Sequence, residues 1–595
     1  MNAIRLRFDF ADAAGVVRPA IFTNPTRIIE AHTLDAVVSA MRAVEEAARH
    51  GSCVAGFVSY EAAPAFDAAL TTHGPCDLPL VWFGVFDPAI RPDADESPAD
   101  ASAVTDPAWR SDLEPGEYAR AIAAVREAIA NGDSYQANYT FRLHTHLDVA
   151  SLPARYARLR EDQRPSYAAD LDIGRWRIQS LSPELFFRLR GNRLTSRPMK
   201  GTAPRGLWCD DDGKRAAELV ASPKNRAENV MIVDLVRNDI GRVAEVGSVR
   251  VTSLFDVEPY PAVFQLVSTV EGRVRLDVGL VDVFRALFPA GSITGAPKMS
   301  SMRLIAGLER TPRGVYCGAI GYVSPGGDAV FNVAIRTAVT DTTNGETTCG
   351  VGGGITWDSE PDDEHAEALS KVSFLSPEPS FELLETLRME RGELVRFPGH
   401  LRRLSASADY FGFRWDEGLL RDALAEHVAA HPVEGRRVRL RLSRQGRVTV
   451  DSRALDPAPT GPVHVALAER PVSRRDRFLY HKTTHRHVYD AHRGAHPDAF
   501  DVLLWNEEGE LTEFTIGNLV LELDGAHLTS PVVCGLLGGV FRQELLETNQ
   551  VRERVLSLDD LSRATRVWLV NSLRQWVEVR FLRSAARGRV RTSLI

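Results

Sequence analysis

KNRAENVMIVDLVRNDIGRV, residues 224–243, is the stretch on which the reading of this chain turns. Val230, Ile232, Val233, Leu235 and Val236 recur at helical spacing, which predicts a buried helix with Glu228 near its start. Three other segments also concentrate polar groups where a core would not want them: SPELFF (182–187), SRPMKGTAPRG (196–206) and DDEHAEALSK (362–371). In the last, Glu364 and Glu367 lie three apart on one helical face, with Lys371 one turn further on. Carboxylates from separate helices suit a hard, oxygen-seeking ion such as Mg²⁺, which keeps several waters and takes few protein ligands. Taken singly, Glu364 reads as a solvated surface acid and Lys200 as a loop lysine. Only their combination says more.

Outward from these segments, the chain has 595 residues, too many for one hydrophobic core. A net charge of −8 argues against nucleic acid as a partner, since phosphate binding needs a basic face. No run approaches 18 apolar residues, so no membrane span is expected. MNAIRLRFDFADAAG carries Asp9 and Asp12 where a signal peptide needs its apolar stretch. Six cysteines, none in a CxxC pair, do not form a disulfide framework. The expectation is a reduced, cytoplasmic protein.

Residues 1–86 mix strand-like runs (GSCVAGFVSY, LPLVWFGVF) with a helical one (LDAVVSAMRAVEEAARH). A Pro-, Ala- and Asp-rich stretch from Asp87 reads as a linker reaching about 116. EYARAIAAVREAIANGD, from Glu117, is an amphipathic helix ended by Gly132. Ser376-Pro377-Glu378-Pro379 is a stiff break, and the main boundary is placed near 378, with the break at 376–380. The expected division is 1–116, 117–375 and 381–595. After the break, FELLETLRMERGELVRF reads as two strands around Arg391-Gly392, followed by a helix near His400.

Residues 118–375 resemble the chorismate-utilising enzymes, the family of anthranilate, aminodeoxychorismate, isochorismate and salicylate synthases. The matching runs are GDSYQANYT (132–140), SPELF, RPMKGTAPRG, RAENVMIVDLVRNDIGRV, FPAGSITGAPK (288–298), CGAIGY (317–322), FNVAIRT (331–337), GGGI (352–355) and the final Glu-xx-Glu-xxx-Lys. The resemblance implies an α+β fold of large sandwich-like sheets with flanking helices. It assigns Glu228 and Glu367, with Glu364 beside them, to Mg²⁺, which would hold the ring carboxylate of chorismate. It assigns Arg336, Tyr322, Lys371 and the backbone of Gly352, Gly353 and Gly354 to the substrate's carboxylates, arginine because its planar fork meets a carboxylate with two parallel bonds. Glu184 becomes the general acid for the departing 4-hydroxyl, and its site should raise its pKa.

Within the family, aminodeoxychorismate synthases carry Pro-x-Lys-Gly-Thr, whose lysine adds covalently to the ring before ammonia enters. This chain has Pro198-Met199-Lys200-Gly201-Thr202, where anthranilate synthases usually have alanine for the lysine. Members that use water carry a lysine base at about the place of Gln136, and a neutral glutamine cannot deprotonate water. Gln265 departs from the family, standing where many relatives have histidine. No cysteine has the Gly-x-Cys-x-Gly context of a glutamine amidotransferase, so ammonia should come from a separate amidotransferase subunit or free solution.

In the second half, LYHKTTHRHVYDAH holds Lys482, GELTEFTIGNLVLEL (509–523) places Glu513 between strand-like segments, and Gly535, Gly538 and Gly539 precede a helix. Such glycines let backbone amides approach a phosphate, although an ordinary turn reads the same way. Together these runs resemble the class IV pyridoxal-phosphate enzymes over 381–595, which implies a two-subdomain fold. Lys482 matches the Schiff-base lysine, Glu513 the carboxylate facing the pyridine nitrogen, and Arg403 in GHLRRL a phosphate-binding arginine. Val540 and Phe541 match backbone contacts to the phosphate. Relatives have proline and threonine where this chain has Gly538 and Phe541, so a threonine contact is missing.

The fusion then implies two steps: amination of chorismate at C4, and elimination of pyruvate by a lyase resembling aminodeoxychorismate lyase, giving 4-aminobenzoate. An anthranilate synthase fused to a branched-chain or D-amino-acid aminotransferase is the rival, as is a synthase with a non-catalytic scaffold. Dimerisation is expected by analogy with class IV relatives.

Overall fold

The computed structural model describes residues 4–87, 107–376, 378–431, 435–457 and 459–582. Most of the linker read from Asp87, at 88–106, lies outside the described residues, as does Pro377 within the break. The chain forms two compact units. The first is Met1–Arg205 with Ala216–Glu378, and the second is Gly206–Arg215 with Pro379–Ile595.

The first unit is built on a nine-stranded and a ten-stranded antiparallel sheet. One runs from strand Gln136–His146 through Glu346–Ile355 to Arg5–Ala11 and Val17–Thr23. The other runs from Met199–Pro204 and Val263–Arg273 to Val81–Phe86 and Arg27–Ala31. Alternating inward side chains from both, among them Phe8, Phe10, Phe57, Leu185 and Ile320, share one buried core. Residues 5–86 thus feed strands into both sheets. Helices Leu34–Arg49, Pro223–Gly241 and Leu280–Leu287 bury apolar faces in a second core.

The segment 224–243 is helical, over Pro223–Gly241. Pro223 occupies the first turn, where its missing N–H is not needed, and Ser222 Oγ caps the helix by accepting from Asn225 N at 3.3 Å. Its buried side is Asn229, Ile232, Val233, Val236, Asp239 and Ile240, whereas Val230 is 40% exposed. Ile232, Val233 and Val236 are buried as the apolar pattern predicts, but a polar residue, Asn229, takes the inward position in place of Val230. Glu117–Ala130 is a helix, with Gly132 just beyond it at φ 81°.

The second unit holds a four-stranded antiparallel sheet and an eight-stranded mixed sheet. Strands Leu383–Glu390 and Glu393–Leu394 flank a turn with Arg391 and Gly392 at φ 52° and 78°. Helix Phe397–Phe411 follows, with Pro398 in its first turn two residues before His400. In the mixed sheet, Val463–Leu467 runs parallel to Asp501–Trp505 and Gln575–Phe581. The strip 206–215, read from sequence as part of 117–375, is packed into this unit's own core. Tyr410 hydroxyl donates to Gly206 O at 2.8 Å, Trp208 stacks on Tyr480 at 5.1 Å, and His481 Nε2 lies 3.2 Å from Leu207 O.

Candidate active sites

Strand Glu346–Ile355 carries the three glycines and pairs with Gln136–His146, setting Gly352 opposite Thr140 and Gly354 opposite Asn138. A Cβ on Gly354 would lie 2.2 Å from Lys200 Nζ and 2.6 Å from Gln136 Nε2. Gly354 is therefore glycine because the Lys200 ammonium and the Gln136 amide occupy that space. Gln136 is fully buried, and both its amide atoms lack a hydrogen-bond partner. Buried amides are nearly always satisfied, so a bare one beside a lysine marks a place for a ligand.

Lys371 Nζ donates to Gly352 O at 3.0 Å and meets Glu367 at 2.9 Å. A Cβ on Gly353 would lie 3.4 Å from the same ammonium and 3.6 Å from Glu364 Oε2, so helix Pro361–Ser370 sets Glu364, Glu367 and Lys371 against this strand. Among the described residues no three His, Cys, Asp or Glu side chains are grouped tightly enough to hold an ion. Glu228, Glu364 and Glu367 thus do not stand as a closed cage, and Glu367 is spent on Lys371.

Glu184 is buried, and burial pushes its pKa up to about 7, opposed by a 2.6 Å hydrogen bond from Ser292 Oγ and by the Lys200 charge. Burial likewise lowers the pKa of Lys200, with Lys371 adding repulsion and Glu228 opposing. The two groups act on one another electrostatically, the Lys200 charge lowering Glu184 and the Glu184 charge raising Lys200 against the effect of burial. Glu364 is raised by burial; burial would raise Glu367 too, but Lys371 holds it low.

Arg336 adopts φ 50° and stacks over Tyr260 at 5.6 Å, with burial lowering its pKa. Tyr260 shares a small core with Met199, the neighbour of Lys200. Thr202 Oγ1 lies 3.2 Å from Gln265 Oε1 across the ladder, an exposed pair. Tyr322, expected among the substrate contacts, instead packs its ring with Phe8, Phe10 and Phe22 at 5.4–5.9 Å. Its phenol belongs to the aromatic core because strand Ala319–Val323 turns that side of the sheet inward.

In the second unit burial takes Lys482 down to about 7, with Arg403 and Arg486 adding to the shift. Glu513 lies within strand Leu511–Phe514, rather than between strands, and accepts from Tyr489 hydroxyl (2.8 Å), Leu537 N (3.1 Å) and Asn518 Nδ2 (3.2 Å). Burial raises its pKa to about 7. Arg403 forks onto Glu385 at 2.8 and 2.6 Å and reaches Gly538 O at 3.2 Å. The loop 535–539 is thereby tied to both Glu513 and Arg403, and helix Val540–Glu547 begins at its end. A Cβ on Gly539 would lie 2.0 Å from Asn518 Oδ1, so only glycine fits. The Phe541 side chain is core, which leaves its helix-terminal backbone as the group available to an anion.

Sequence reasoning passed over Glu385, His400, Tyr489, Asn518 and Ser292. His400 and Arg403, three apart in GHLRRL, share a helix face, a readable signal; Glu385 lies on a distant strand. His400 Nδ1 sits 2.7 Å from Glu385, while its buried Nε2 has no partner.

Two antiparallel sheets closed by buried helices bring Lys200 and the bare Gln136 amide to a glycine strand, and a second unit buries Lys482 and Glu513. Residues 9–377 match the family model for chorismate binding enzyme, and the chain belongs to that family. Residues 382–582 match the model for amino-transferase class IV. Aminodeoxychorismate synthase component 1 of Klebsiella aerogenes is 41% identical over 47% of this chain and 62% of its own length. Aminodeoxychorismate synthase of Streptomyces pristinaespiralis is 43% identical over 48% of this chain and 39% of its own. The chain thus spans less than two thirds of the length of either relative. Anthranilate synthase component I from Streptococcus pneumoniae TIGR4 superposes with a TM-score of 0.51 at 25% identity, covering 62% of this chain and 89% of that one. No helix among the described residues is long and apolar enough to cross a membrane, and none of the six cysteines is paired in a disulfide.

Proposed function

We propose that this chain makes 4-aminobenzoate from chorismate and ammonia in two steps, one in each unit. The observation that carries the reading is Lys200 Nζ beside the bare Gln136 amide at Gly354. Lys200, as its free amine, adds to the ring while Glu184 gives a proton to the 4-hydroxyl, which leaves as water. Ammonia then bonds to C4, the bond to Lys200 breaks, and ammonia's surplus proton is lost. Gln136 can accept a hydrogen bond from ammonia but cannot deprotonate water. Arg336, Lys371 and the Gly352–Gly354 backbone hold the substrate's carboxylates.

Mg²⁺ fits the donors present: Glu364 and Glu367 repel one another, and a cation would relieve this more fully than Lys371 does. Glu228, Glu364 and Glu367 would hold it, and bound there it would neutralise the ring carboxylate of chorismate. Pyridoxal phosphate fits the second unit, where Lys482, Glu513, Arg403 and the backbone of Val540 and Phe541 would hold it. Bound, it supplies an electron sink. The orphaned Nε2 of His400, buried near Arg403, supports an anionic occupant. Lys482, with its pKa near 7, moves the proton as pyruvate leaves and the ring becomes aromatic. A separate glutamine amidotransferase subunit supplies the ammonia in a cytoplasmic setting.

Incubating the purified chain with chorismate, ammonium and Mg²⁺, with and without pyridoxal phosphate, tests both halves. 4-Aminobenzoate and pyruvate are expected, and Lys482→Ala should let aminodeoxychorismate accumulate. Anthranilate as product would sink the reading of Lys200.

A further inference from the structure

The strand that presents Lys200 is broken where the lysine stands. Met199 pairs with Val267 and Thr202 with Gln265, so Lys200 and Gly201 together face Leu266. This is a β-bulge, with Gly201 at φ 100°, and it leaves carbonyls without their ladder partners. The fully buried Asn229, next to Glu228 on helix Pro223–Gly241, fills that gap. Its Nδ2 donates to Lys200 O at 3.0 Å and to Leu266 O at 3.4 Å, bridging both sides of the bulge. Ser268 Oγ donates to Asn229 Oδ1 at 2.6 Å, and Phe255 N donates to Ser268 Oγ at 3.2 Å. The amide cannot rotate without losing one of these bonds.

We infer that Asn229 is a positioning residue, whose amide, oriented by Ser268, locks the bulge and so aims the Lys200 amine at the substrate ring. The same side chain fixes the nucleophile's strand to the helix that carries Glu228, so nucleophile and metal carboxylate keep one geometry. Asn229 touches neither substrate nor reacting atoms; it acts through the backbone of Lys200. The inference rests on the proposed role of Lys200.

The test is steady-state amination by the full chain carrying Asn229→Ala, Ser268→Ala, both, or Lys200→Ala, each checked by thermal unfolding. An error of about 1 Å in a nucleophile costs on the order of 10²-fold. Asn229→Ala should lower kcat by about that factor while KM for chorismate and half-saturation by Mg²⁺ stay within about threefold. Ser268→Ala should lose less, and nothing further on top of Asn229→Ala, because it acts only through that amide. An unchanged kcat, losses that multiply, or a loss matched by weakened chorismate and Mg²⁺ binding would each overturn the inference. Should Asn229→Ala not fold, Ser268→Ala decides alone: reduced kcat at constant KM supports the inference and unchanged kcat ends it. A Lys200→Ala chain that aminates normally removes the reading of Lys200 itself, an outcome separable from the others.

Discussion

At Glu184 desolvation outweighs the neighbouring positive charge, and the acid stays protonated up to about pH 7. A general acid works only while protonated, so amination kcat should fall as pH rises through about 7. Lys200, needed as its free amine, should impose the opposite limb, moved down from the ordinary lysine range by burial. Glu184→Gln should slow amination by about 10²–10⁴-fold and erase the alkaline limb; a pH profile that keeps it would reassign the limb. Glu385 shows the reverse balance. Burial alone would raise it, but Arg403 and His400 hold it at about 2. Its folded pKa lies below the ordinary 4.5, so its stabilisation is complete above about 4.5 and is lost as pH falls through about 2. Glu385→Gln should remove that acid sensitivity from thermal melts. It strands the Arg403 guanidinium and should cost about 3–5 kcal/mol.

Among the elements, the glycine strand and the loop before helix Val540–Glu547 both pack site groups closely against glycine. Gly354→Ala pushes a methyl into the space of Lys200 Nζ and the Gln136 amide, 2.2 and 2.6 Å away. Amination should fall on the order of 10²-fold, with the melting curve little moved, because the neighbours displaced are site groups rather than core. Gly539→Ala collides with Asn518, which steadies both Glu513 and Leu537 O. Pyridoxal phosphate titrated by its absorbance should then bind at least about tenfold more weakly, or ~1.4 kcal/mol. Unaltered binding would mean the loop is not the phosphate's cradle.

For the molecule as a whole, the second unit is discontinuous in sequence, since it includes residues 206–215. A piece cut at 379 lacks the Trp208 ring against Tyr480 and the carbonyls that meet Tyr410 and His481. His481 adjoins Lys482. Such a piece should melt below the same unit in the full chain, with a deficit on the order of 3 kcal/mol. Equal melting of the two would show that the strip is ornamental to the unit. A boundary near 378 was legible because Pro377 and Pro379 interrupt the periodic pattern, whereas nothing in GLWCDDDGKR advertises that it returns to another core.

The sequence by itself determined the two-part architecture and supplied the candidates for the first site. Lys200, Glu184, Gln136, Glu364, Glu367, Lys371 and the glycines stand in runs whose order is carried by local spacing. It also named Lys482, Glu513 and Arg403. Only the tertiary structure decided that Tyr322 belongs to an aromatic core, that Asn229 rather than Val230 faces inward, and that Glu385 clamps Arg403. The physical reason is one of range. Periodicity and motif spacing report which side chains share a helix face or a strand, within a few residues of one another. Burial, the partner of a charge and the pairing broken by a bulge depend on segments far apart in the chain, which meet only when the sheets close.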